Sequence, residues 1–126
     1  MTNAIAAHAS PVSTVLTKAV AQIAQRLELT NKELGLIIGI SQPSASRLLR
    51  GQYFLPEGSK EWEMSALLVR LYRGLYSIVG NSDELARTWL NSENTAFAGQ
   101  MPHRAIQRVD GLVFACEYVD AHRAPL

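Results

Sequence analysis

Cysteine is nearly missing from this chain: Cys116 is the only one in 126 residues. An intramolecular disulfide is impossible and a zinc-thiolate cluster is excluded, which leaves Cys116 as an inert core thiol. Net charge is missing as well. Twelve Lys and Arg stand against eleven Asp and Glu, a balance of +1, so the field of the whole molecule gives little pull toward a polyanion. No stretch approaches the roughly 18 consecutive apolar residues of a membrane span. The first ten residues lack a basic start followed by a long apolar segment, so the cytoplasm is the expected location. His8, His103 and His122 have unrelated spacing, there is no H-E-x-x-H or C-x-x-C, and no glycine-rich loop follows a strand. Catalysis, a metal and a cofactor are therefore not expected. Strict apolar-polar alternation is also lacking, which excludes sheet-rich folds.

What is present is helical. Hydrophobic residues make up 48% of the chain, ample for a packed core in one or two small domains, and the expected class is all-α. The organising stretch is Thr30 to Gly51, TNKELGLIIGISQPSASRLLRG. Thr30 and Glu33 make a capping box that starts a helix at Asn31, and Leu34, Ile37 and Ile38 line one face of it. Gly39 supplies the left-handed backbone that ends it. Ser41 caps a second helix, with Pro43 tolerated in its first turn. Ala45, Leu48 and Leu49 point inward there, leaving Gln42, Ser44, Ser46, Arg47 and Arg50 outward.

Two short helices joined by a tight glycine turn read as a helix-turn-helix, whose second helix enters the DNA major groove. An ordinary helical hairpin would have no need for small hydroxyls and amides interrupted by two arginines on its outer face. Arg47 is placed for a bidentate contact to guanine, and Arg50, one turn later, for a phosphate. Residues 1–65 carry six basic residues against five glutamates, so one copy would bind DNA weakly and a homodimer, or a higher hetero-oligomer, is expected. The motif resembles the Xre-type helix-turn-helix of phage-repressor-like proteins, over this stretch and the helix before it.

In chain order, residues 1–10 are small and uncapped and read as a flexible N-terminus. Leu16, Val20, Ile23 and Leu27 predict a supporting helix from Val12 to Leu29. Pro56 and Gly58 mark the domain boundary, with Tyr53 and Phe54 closing the edge of the core. Trp62, Leu67, Leu68, Leu71, Leu75 and Val79 predict a helix of about five turns from Ser59 to Gly80. Asn81 or Ser82 caps the next, with Leu85, Trp89 and Leu90 as its buried side. Phe97 is read as a plug holding an irregular loop down. Pro102 begins a short helical turn through Arg108, and Asp110 is expected to cap a last helix with Leu112, Val113, Cys116 and Val119 inside.

The second half carries a series of landmarks: Leu71-Tyr72-Arg73, Val79-Gly80, Trp89-Leu90, then Asn94, Phe97, Gly99 and Pro102, then Gly111-Leu112 and Tyr118-Val119-Asp120-Ala121-His122-Arg123. In this it resembles the toxin-binding domain of the Xre/MbcA/ParS antitoxins, partners of RES-domain toxins. Phe97, Ala115 and Val119 depart from the family's usual leucine, valine and leucine. The resemblance implies a type II antitoxin that neutralises a RES-domain, NAD-consuming toxin by covering its active-site cleft with its C-terminal part, and that binds operator DNA of the shared promoter. Tyr118, His122 and Arg123 are the residues expected to touch the toxin, since Tyr and Arg are typical interface anchors.

The expected division is 1–10 flexible, 11–58 helix-turn-helix and 59–126 toxin-binding. Two rivals differ in observable ways. A repressor with a small-effector-binding C-terminal domain must enclose a pocket, whereas a toxin-binding domain should expose an apolar patch. A helix-turn-helix with a purely architectural or dimerising role would fit the weak charge balance.

Overall fold

A computed structural model describes residues 9–123. The order is α1 (Pro11–Arg26), α2 (Asn31–Ile38), α3 (Gln42–Leu49), α4 (Lys60–Ile78), α5 (Asp83–Leu90), a 3-10 turn (Thr95–Phe97), α6 (Pro102–Ala105) and α7 (Val109–Ala121). No strand occurs among the described residues. The expected flexible segment lies outside them as far as residue 8, while Ser10 is part of the fold: its hydroxyl accepts the Ser13 N–H at 3.0 Å and caps α1.

Helix starts follow from side-chain oxygens that satisfy the unpaired N–H groups of a first turn. Thr30 Oγ1 accepts the Glu33 N–H at 3.0 Å while Glu33 Oε1 accepts the Thr30 N–H at 2.9 Å, a complete capping box. Ser41, Ser59 and Ser82 each accept one such N–H, from Ser44, Trp62 and Leu85, at the starts of α3, α4 and α5. Gly39, at φ 79°, ends α2 in the left-handed conformation that only glycine adopts without strain.

The buried stripes converge on one core. Val20, Ile23 and Ala24 of α1, Leu34, Ile37 and Ile38 of α2, and Ala45 and Leu48 of α3 meet Leu68, Leu71 and Leu75 of α4. Leu112, Ala115, Cys116 and Val119 of α7 join the same cluster. The 19 residues of α4, about 28 Å of helix, thus back both halves. The connection before α4 is tied down as well. Ser13 Oγ donates to the Leu55 carbonyl at 2.5 Å, and the Leu55 N–H donates to Thr17 Oγ1 at 3.0 Å.

Polar contacts join the end of α1 to α5. Tyr72 OH donates to Asp83 Oδ1 at 2.6 Å and accepts from Arg26 at 3.4 Å. Arg87 donates to the Arg26 carbonyl at 2.7 Å and pairs with Glu28 at 3.4 Å. Burial, reinforced by the bond to Asp83, raises the Tyr72 phenol above its ordinary value.

The structure corrects several boundaries and faces. α1 stops at Arg26, not Leu29, because Glu28 takes a left-handed φ of 56°. α6 closes at Ala105, short of Arg108. α7 begins one residue before Asp110, whose carboxylate sits in the first turn and accepts the Gly111 N–H at 2.9 Å instead of capping. Leu85 and Val113 face solvent at 53% and 38% exposure, and Ala86 and Ala115 take their places inside.

Candidate functional site

The first surface is built on α3. The α2–α3 crossing is close because residue 35 lacks a side chain: a Cβ there would lie 2.7 Å from the Ile40 carbonyl oxygen. With Ala45 and Leu48 buried beneath, the opposite side of α3 is presented outward. Gln42, Arg47 and Arg50 are exposed, and Ser44 and Ser46 are half-buried between them. Four of the five expected residues therefore share one short helix, and Arg50 is its C-cap. Their side chains are partly ordered by each other: Ser41 donates to Ser44 Oγ at 3.0 Å, Arg47 donates to the same oxygen at 3.0 Å, and Arg50 Nε donates to the Ser46 carbonyl at 3.4 Å. Arg47 is thus held along the helix toward its N-terminal end, the part that meets base edges in this motif, with its remaining N–H groups unspent. Lys32, exposed in the first turn of α2, adds a positive charge that helix periodicity alone does not single out.

The second surface is the outer side of α7 and the 3-10 turn. α7 lies against α4 with close contact at Gly74, where a Cβ would come within 2.5 Å of Val119 Cγ1 and 3.8 Å of Arg123 Cδ. Arg70 Nε donates to Asp120 Oδ2 at 3.0 Å and pins the end of α7 to α4. That bond and its charge raise the Arg70 pKa further. Cys116 Sγ donates to the Leu67 carbonyl at 3.3 Å, and burial pushes its thiol pKa up.

On the far side of α7 the rings form a continuous cluster. Phe97 meets Trp89, Phe114 and Tyr118 edge-on at 5.5, 5.1 and 5.6 Å between centroids, and Tyr118 stacks on His122 at 4.2 Å. His122 Nδ1 lies 2.7 Å from the Tyr118 carbonyl oxygen. Of the three residues expected at the partner surface, Tyr118 is half-buried in the cluster, while His122 and Arg123 are exposed at the tip. The expectation that Phe97 plugs the loop agrees with its burial.

Sequence reasoning missed Phe114, 42% exposed, and Val109, 61% exposed. Their signal was available: both are apolar residues out of phase with the buried stripe of Leu112, Ala115, Cys116 and Val119. Together with Val113 they give the C-terminal half an apolar outer surface. Among the described residues no helix is long and apolar enough to cross a membrane, and no group of three or more His, Cys, Asp or Glu could hold a metal ion.

No curated protein matches the chain. Two families do. The antitoxin Xre-like helix-turn-helix domain matches residues 8–70, half of the chain, and the antitoxin Xre/MbcA/ParS C-terminal toxin-binding domain matches residues 74–124. The two ranges meet inside α4, the helix that backs both surfaces. The chain therefore belongs to the Xre antitoxin family, as a type II antitoxin with an Xre-like helix-turn-helix in front and a toxin-binding domain behind.

Proposed function

We propose that this antitoxin silences a RES-domain, NAD-degrading toxin by laying the end of α7 over the toxin's active-site cleft, and that it represses its own operon through α3. On this reading the DNA-binding surface lies in residues 11–58 and the toxin-binding surface in 59–126. The homodimer, or a larger assembly with toxin, brings two α3 helices to one operator.

The observation that carries the reading is the tip of α7. Tyr118 lies between Phe97, which it meets edge-on, and His122, on which it stacks, and Arg123 lies exposed beyond them. A cleft that binds a dinucleotide must accept phosphate and ribose. The exposed Arg123 guanidinium, one residue past the Tyr118–His122 pair, suits carboxylates of the kind that hold ribose hydroxyls. The residues that follow, 124–126, lie outside the described part. An effector-binding repressor is supported less well, because the apolar residues left over in the C-terminal half, Val109, Val113 and Phe114, lie on the outside.

Co-expression tests the proposal. Removing half of α7 would also remove the core residue Val119 and the Asp120 anchor, so the informative variants are His122→Ala and Arg123→Ala, both at exposed positions. The double variant is expected to melt like the parent yet to leave the RES-domain toxin active. Full protection by that variant would remove the tip from the mechanism.

A further inference from the structure

We infer that the groove between the Asn94–Gly99 turn and the start of α7 receives an apolar side chain projecting from the toxin, so that the two proteins lock reciprocally. This rests on the toxin-binding reading above and adds a second anchor to it. The groove holds about 590 Å³ and is lined chiefly by Ala96, Phe97, Ala98, Ala105, Gly111 and Phe114. Its floor is small and apolar, and its far wall is the exposed Phe114 ring, propped edge-on by Phe97 at 5.1 Å. At its mouth Arg108 Nε and Asp110 Oδ1 neutralise each other at 3.2 Å. The mouth therefore offers no net charge to an ionic partner, and the occupant is of leucine, methionine or aromatic type.

The toxin is the occupant because the groove is continuous with the tip that meets it. Phe114 neighbours Tyr118 at 6.2 Å between centroids, and Tyr118 neighbours His122 at 4.2 Å. His122, the C-cap of α7, lies eight positions beyond Phe114, about 12 Å along the axis. A stable interface covers about 800 Å² on each partner, a patch roughly 30 Å across. A protein seated on the tip with a footprint of that size also overlies the groove.

The probe is a RES-domain toxin from the reading frame adjacent to the antitoxin's own, in a catalytically dead form, titrated against full-length antitoxin variants. Ala96→Arg lays a long cation across the groove from an exposed position, away from the tip. Gln100→Arg brings the same charge in from a second exposed lining position. Each is expected to weaken toxin binding roughly thirtyfold, the size of an interface hot spot, while the melting temperature stays at the parent value. Parental affinity in both, with Arg123→Ala still impaired, would show the groove is empty in the complex and overturn the inference alone. A loss of self-association in Ala96→Arg with toxin affinity intact would assign the groove to a second copy of this chain and equally overturn it. If the parent itself fails to bind the toxin, the reading beneath falls too.

Discussion

Gly74→Ala tests how the tip of α7 is aimed. The added Cβ would sit 2.5 Å from Val119 Cγ1, and Val119 is fully buried, so neither atom can move without shifting α7 against α4. Overpacking of this kind costs about 1–3 kcal/mol. Alanine in a helix interior is better than glycine by about 1 kcal/mol, so the net loss is about 0–2 kcal/mol. Val119→Ala removes the obstructing methyl. In that background Gly74→Ala keeps its helix-propensity gain, partly refills the space, and should stabilise by up to about 1 kcal/mol. The coupling between the two sites is therefore about 1–3 kcal/mol, or about 4–12 °C in melting temperature for a chain of this size. Urea and thermal unfolding of the parent, both single variants and the double variant measure it. Strict additivity would refute the claim that the α4–α7 approach is limited at Val119. Toxin silencing should follow the same pattern, since the same Cβ lies 3.8 Å from Arg123 Cδ.

Two more outcomes are expected. Arg47→Ala should relax preference at one base position by about 1–3 kcal/mol, whereas Arg50→Ala should weaken binding to all sequences and flatten the salt dependence by about one unit. Uniform loss from both variants in operator titrations would refute the groove assignment. Alkaline pH should also destabilise the fold. Burial raises the Cys116 thiol and the Tyr72 phenol, so each holds its proton more tightly folded than unfolded. Their contribution is complete below the ordinary ionisation ranges and is lost as pH rises through them toward the raised values. Urea midpoints for the parent should start to fall in the thiol range, and for Cys116→Ala only in the tyrosine range; identical profiles would exclude the thiol.

Much of the fold was readable because its signals are local. Thr30 with Glu33, and Ser41, Ser59 and Ser82, each satisfy a backbone N–H three residues on, and Gly39 needs only its own φ. The surface on α3 was readable for the same reason, since four outward residues on one eight-residue helix, with Arg50 at its C-cap, are fixed by local spacing. Errors came where burial departs from period. Leu85 and Val113 are apolar yet exposed, because amphipathic reasoning assigns every leucine and valine to the core of its own chain and has no place for apolar residues left outside. The end of α1 was missed because Glu28, without a glycine to announce it, takes a left-handed turn. Contacts between residues far apart in the chain were illegible from spacing. Arg87 reaches a carbonyl 61 residues earlier, and Arg70 meets Asp120 50 residues later.

The helix α4 has a consequence for how this molecule can be taken apart. Leu68 and Leu75 are fully buried on a rod against which α1 and α2 rest on one side and α7 on the other. Among the described residues the link between the two family domains is this rod itself, not a loop that could be cut to release two intact pieces. A protease that begins at either terminus and unravels as far as this rod strips the support from everything else, so the grip on toxin and the grip on DNA would vanish in the same event rather than one after the other.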